Sequence, residues 1–210
     1  MGETGSSRSI TLPFGYAALR VKPAARSAAE DPALEAIRFP IGRFEPQESY
    51  SAADLTENLQ RLELAPKRLS VAVRGLADAQ LDTVTRAGGW TARQVAHHLA
   101  DSVLNGSARF RWALTEDEPT IKPYDEGAWC ALPDARHAPL EPSLAIFEGT
   151  TARLVRLLRA LRAKDWSRRF YHPEAQCHWT LDASLALYAW HHEHHVSQIA
   201  SLRARAGWKA

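Results

Sequence analysis

The chain has 210 residues, 45% of them hydrophobic and 24% charged, and its 26 Lys plus Arg against 24 Asp plus Glu leave a net charge of only +2. A chain of this size buries roughly 70% of its unfolded surface, so one self-sufficient apolar core is expected. The near-balanced charge argues against a protein whose main task is to hold nucleic acid. No run approaches 18 consecutive apolar residues and no basic region precedes a long apolar stretch at the start, so neither a membrane span nor a signal peptide is expected. The two cysteines, Cys130 and Cys177, form no C-x-x-C motif, which leaves a reducing, cytoplasmic compartment as the expectation.

Taken in chain order, residues 1–38 read as a disordered tail, because Gly, Ser, Ala and Pro are frequent and apolar periodicity is short. Residues 39–210 read as the folded domain. Ser51 is placed to cap a first long helix over 52–76, with Leu55, Leu59, Leu62, Leu69 and Val73 on its apolar side and Pro66 expected to kink or interrupt it. After Gly88-Gly89, Thr91 caps a second helix over 91–115 carrying Val95, Leu99, Val103 and Phe110. A Pro- and aromatic-rich loop runs from Pro119 to Pro142. A third helix is expected over 143–163, then an irregular stretch in which 170–172 and 177–179 can pair briefly. A fourth helix runs from Thr180 to about Ala206, where Gly207 stops it. Four helices with long connections predict an all-α four-helix bundle with at least one crossover.

Nine histidines are present, and six fall in two clusters, His97-His98 and His191-His192-Glu193-His194-His195. Residues four apart on a helix are separated by about 40° around its axis, so His191 and His195 can reach one point, as half of a metal site. On the second helix, His98 shares its side with Val95, Leu99 and Ser102, while His97 lies with Arg93 and Asp101; His98 is therefore the inward candidate. On the fourth helix, burial alone also admits His192 paired with His195, and periodicity leaves both pairs open. Glu193 and His194 project largely away.

The runs Gly88-Gly89-Trp90-Thr91-Ala92-Arg93-Gln94-Val95-Ala96-His97-His98-Leu99-Ala100-Asp101-Ser102, Lys122-Pro123-Tyr124-Asp125-Glu126 and Tyr188-Ala189-Trp190-His191-His192-Glu193-His194-His195 closely resemble the YfiT family of the DinB-like superfamily, described as metal-dependent hydrolases. The resemblance spans about Ile41 to Trp208. It implies a four-helix bundle, usually homodimeric, with one divalent metal per subunit, zinc or nickel. It further implies that His98, His191 and His195 are the ligands. Val103 stands where a relative has a further His, and residues 1–38 lie outside the family pattern.

Three imidazoles around a divalent cation leave a position for water, whose pKa falls toward about 7, and that is hydrolytic chemistry on a small-molecule substrate. Asp101, three residues after His98, is the candidate proton acceptor or outer partner of the site, with a salt bridge to Arg93 or a neighbour as the structural alternative. Glu193, about 160° around the helix from His191, is poorly placed as a base. Tyr124, Asp125 and Trp129 either line a substrate pocket or cover the bundle's end. The stripe Arg153, Arg156, Arg159, Arg162 reads as a solvated helix face. The resemblance to the DinB-like superfamily also implies an alternative, a transferase in which the metal activates a low-molecular-weight thiol, which soft thiolate coordination makes physically reasonable; a metal-binding dimer without catalysis is the third reading.

Overall fold

Ser51 starts the first long helix as expected. Its Oγ accepts from the Asp54 amide (3.2 Å) while the Asp54 carboxylate accepts from the Ser51 amide (2.7 Å), a reciprocal capping box. The computed structural model describes residues 32–209, so residues 1–31 of the tail expected over 1–38 lie outside the described residues. Ahead of Ser51 stands α1 (Pro32–Arg38), so regular structure begins seven residues before the boundary read from composition. This short helix packs on the last helix of the chain, and Phe39 just after it is 6% exposed.

The capped helix is α2 (Ala52–Val73), and Pro66 does not interrupt it. An interior proline costs a helix about 3 kcal/mol. Leu62 and Leu69, both fully buried on either side of it, hold the helix together through packing. A short α3 (Asp78–Leu81) leads to α4 (Ala92–Thr115), where Thr91 and Gln94 form a second capping box. The proline-rich loop contains two short helices, α5 (Glu126–Cys130) and α6 (Pro133–His137), the first capped by Asp125, whose carboxylate accepts from the Ala128 amide at 2.8 Å. Then come α7 (Glu141–Arg159) and a single 3₁₀ turn at Ala163–Asp165. Strands β1 (Arg169–His172) and β2 (Cys177–Thr180) form an antiparallel hairpin pairing Phe170 with Trp179. The fourth long helix, α8 (Leu181–Arg205), ends at Gly207, whose φ of +68° is the left-handed conformation glycine adopts without strain.

The four long helices α2, α4, α7 and α8 make an all-α bundle. Its main contacts join α2 to α7 and α8, and α4 to α7 and α8. The first two long helices therefore lie diagonally across from each other, as do the last two, which differs from a simple up-and-down bundle. Two apolar clusters fill the interior. One gathers Phe110, Leu154, Leu158, Phe170, Leu185 and Tyr188; the other gathers Leu69, Val95, Leu99, Phe147, Val196 and Ile199. Residues 191–195 of α8 lie between them in sequence. Among the described residues, no helix is long and apolar enough to cross a membrane.

Polar side chains close the remaining ends. Arg203, 8% exposed, donates to the carbonyls of Ala72 (3.0 Å) and Arg74 (2.9 Å), which α2 itself leaves unpaired. Glu193 pairs with Arg61 at 2.7 Å and also with Arg68, so it fastens α8 to α2 and is no base for a site on the other side of its helix. On the expected arginine stripe, Arg159 binds Glu63 and Arg162 binds Asp165, while Arg153 and Arg156 are exposed.

Candidate metal centre

The seam between α4 and α8 brings His98, His191 and His195 together, with one ring nitrogen from each lying within 4.8 Å of the others. Their ring centroids stand 4.6–5.2 Å apart. His98 Nε2 and His191 Nε2 are 3.2 Å apart. Two lone pairs cannot face each other at that distance without a proton or a cation between them. Nitrogens bound at roughly 2.0–2.1 Å around a tetrahedral ion would be about 3.3 Å from one another, so this pair has the spacing of two ligands of a divalent metal, with the third nitrogen within 4.8 Å of both.

Burial prepares these rings electrically. His98 is 2% exposed and His191 5%, and desolvation, reinforced by the neighbouring imidazoles, holds both well below the usual histidine range. The same desolvation lowers His195 to about 4, although the Gln198 hydrogen bond pulls in the opposite direction. All three are therefore neutral at pH 7, with a lone pair to give. His195 is the least buried of the three. Trp90 stands beside two of them, its ring centroid 4.8 Å from His98 and 6.0 Å from His195.

The other histidines separate by environment. His97 accepts from Ser143 Oγ (2.7 Å) at Nδ1 and donates to the Ala138 carbonyl (3.3 Å) from Nε2, tying α4 to the segment that enters α7. His192 is fully buried, edge-on to Phe147 at 5.0 Å, with neither ring nitrogen bonded among the described residues. His194, expected to project away from the buried side, is instead only 6% exposed: its ring stands 5.1 Å from His195, stacks on Trp190 at 4.7 Å and meets Phe39 at 5.6 Å. The segment after α1 covers it, and that cover comes from residues distant in sequence.

Asp101 is outside the three-histidine group. The expected alternative of a salt bridge to Arg93 does not form, because Arg93 is taken by Asp78 (2.8 Å) and Asp82 (2.7 Å). Burial, and then the nearby Asp134 charge, raise the Asp101 carboxyl to about 6. Tyr124 and Trp129 pack on each other at 4.7 Å beside α4, where burial raises the Tyr124 hydroxyl, and Arg109 lies over the Tyr124 ring.

Two side chains that sequence reasoning passed over touch the candidate ligands. Ser102 Oγ is 3.4 Å from His191 Nδ1, a long contact, and Gln198 Oε1 is 3.0 Å from His195 Nδ1. Ser102 lies four residues after His98 and Gln198 three after His195, so helical spacing carried the signal.

Comparison with known proteins places the chain. The family model of the DinB superfamily matches residues 61–199. "Putative metal-dependent hydrolase YfiT" of Bacillus subtilis (strain 168) is 45% identical over 172 residues, covering 82% of this chain and 97% of that protein. A "Putative metal-dependent hydrolase" of Geobacillus thermodenitrificans (strain NG80-2) is 43% identical over 175 residues, covering 83% and 98%. The solved structure of Bacillus subtilis YfiT, described as having "an unusual four-helix bundle topology", superposes with a TM-score of 0.81 at 44% identity, over 83% of this chain and 99% of that one. With that identity, that coverage and the shared bundle, the chain belongs to the YfiT family of the DinB superfamily.

Proposed function

We propose that the chain is a metal-dependent hydrolase in which His98, His191 and His195 hold one divalent cation, zinc or nickel. The observation that carries this reading is the convergence of three neutral imidazoles, two buried and one partly buried, from two helices on one point. A divalent cation bound by three imidazoles supplies Lewis acidity and lowers the pKa of water toward 7. The protein's own share is positional. The apolar clusters on either side fix the helices, Trp90 walls one flank, and the less buried His195 marks the side open to a small-molecule substrate. Asp101, one turn beyond His98 with its carboxyl near 6, is assigned as proton acceptor. The working unit is taken to be a homodimer, on the strength of the family resemblance, and light scattering of the full chain checks it.

Metal analysis of the purified protein tests the site. About one metal per chain is expected, lost in each of His98→Ala, His191→Ala and His195→Ala and kept in His192→Ala. Loss in His192→Ala with retention in His191→Ala would overturn the ligand assignment. Ester and amide substrates, offered in parallel with an electrophile plus a thiol, test the chemistry. Thiol conjugate formed without ester or amide turnover would sink the hydrolase reading in favour of transfer.

A further inference from the structure

A histidine can serve as a metal ligand through Nε2 only if its proton is on Nδ1, and the partner of Nδ1 decides where the proton sits. For His195 that partner is the Gln198 side-chain amide, whose Oε1 is 3.0 Å from Nδ1. An amide oxygen and nitrogen have nearly the same shape, so which end faces His195 depends on the rest of the network. The Gln198 Nε2 is 3.1 Å from the Arg38 carbonyl, across 160 positions of sequence. A carbonyl only accepts, so the amide nitrogen must face it. Turning the amide over would set two oxygens against each other and offer His195 a donor, forcing its proton onto Nε2.

The Arg38 carbonyl is itself held in place. Phe39 is buried against His194, its amide donates to the Glu35 carbonyl at 2.8 Å, and the same Gln198 nitrogen contacts His194 Nε2 at 3.0 Å. We propose that Gln198 is the positioning residue that fixes His195 in the Nδ1–H form, oriented by the Arg38 carbonyl at the end of α1. The metal site is thereby coupled to a segment that supplies none of its ligands. The consequence for metal affinity rests on the three-histidine reading above; the tautomer itself does not.

Two measurements on the full chain test it. In chelator-treated protein, nitrogen chemical shifts of the imidazoles report the tautomer directly: His195 is expected as Nδ1–H in the wild type and redistributed toward Nε2–H in Gln198→Leu. Competition of zinc between the protein and a chromogenic chelator should then show a dissociation constant raised about 10- to 100-fold in Gln198→Leu, the range for losing an outer hydrogen-bond partner of a metal ligand. Gln198→Glu keeps an acceptor for Nδ1–H but sets a carboxylate oxygen against the Arg38 carbonyl, so it is read by the tautomer, and His195 is expected to stay Nδ1–H. An Nε2–H His195 in the wild type, or an unchanged zinc constant in Gln198→Leu, overturns the proposal. So does a Gln198→Glu variant whose His195 is redistributed toward Nε2–H as in Gln198→Leu, which would mean that the amide only packs α1 onto α8. If His191→Ala binds zinc as the wild type does, the ligand assignment fails instead, and the tautomer measurement still decides the role of Gln198.

Discussion

Asp101 shows how a single side chain can record its surroundings in a measurable quantity. Its folded carboxyl titrates at about 6 against 3.8 for an unperturbed aspartate, through burial first and the Asp134 charge second. The folded state therefore holds the proton more tightly than the unfolded chain. The ionised form is a cost to folding that is complete above pH 6 and vanishes below about pH 4. Asp101→Asn should remove it, raising stability by on the order of 1 kcal/mol at pH 8 once solvent screening is allowed for, with no gain at pH 4. Paired thermal melts at the two pH values check this; an equal shift at both would show that the carboxyl is not perturbed. If Asp101 is also the proton acceptor, wild-type turnover falls as pH drops through 6, and the asparagine variant loses about 100-fold or more without losing metal. The residue's place on α4 was readable from its spacing to His98. Its proton affinity was not, because Asp134 comes from α6, a short helix inside what composition marks only as loop.

At the level of elements, the site depends on how closely α4 and α8 approach. Gly106 sets that distance: a Cβ built on it would lie 2.6 Å from the Cε1 and Cζ atoms of Tyr188. The ring cannot retreat freely, being 2% exposed and hydrogen-bonded from Arg109 to its hydroxyl at 3.3 Å. In an exposed helix, Gly→Ala would stabilise by about 1 kcal/mol. Overpacking here costs about 1–3 kcal/mol, so Gly106→Ala should be net destabilising by up to about 2 kcal/mol in urea denaturation. A stabilised variant would mean that the seam is looser than drawn. Much of this level was legible: Ser51, Thr91 and Gly207 mark helix ends through hydrogen bonds and φ angles that only a few residue types satisfy. What was not legible depends on distant partners. Pro66 looks like a helix breaker until Leu62 and Leu69 are seen fully buried, and Gln198 looks like an ordinary surface residue until Arg38 is beside it.

For the molecule as a whole, the histidines are a common acid-labile element. Seven of the nine, His97, His98, His172, His191, His192, His194 and His195, are held below the usual range, in each case chiefly by burial. A base whose folded pKa is depressed gives stability that is fully present above about pH 6.5. That stability is lost as pH falls, because the unfolded chain takes up the proton first. Each group weakens the fold by up to about 1.4 kcal/mol per pH unit between 6.5 and its folded pKa, so seven together reach roughly 10 kcal/mol per unit, comparable to the whole stability of a domain. Asp101 works in the opposite direction, but it is one group against seven. Chelator-treated protein should therefore lose its helical signal in one steep transition between pH 6.5 and about 4, with several protons taken up as the bundle opens. A divalent cation in excess should move that transition to lower pH, since it competes with protons for three of the same nitrogens and binds only the folded seam. Circular dichroism across the pH range, with and without zinc, reads both effects. Full helicity at pH 4 without metal, or a transition involving a single proton, would show that the buried imidazoles are not what limits this bundle in acid.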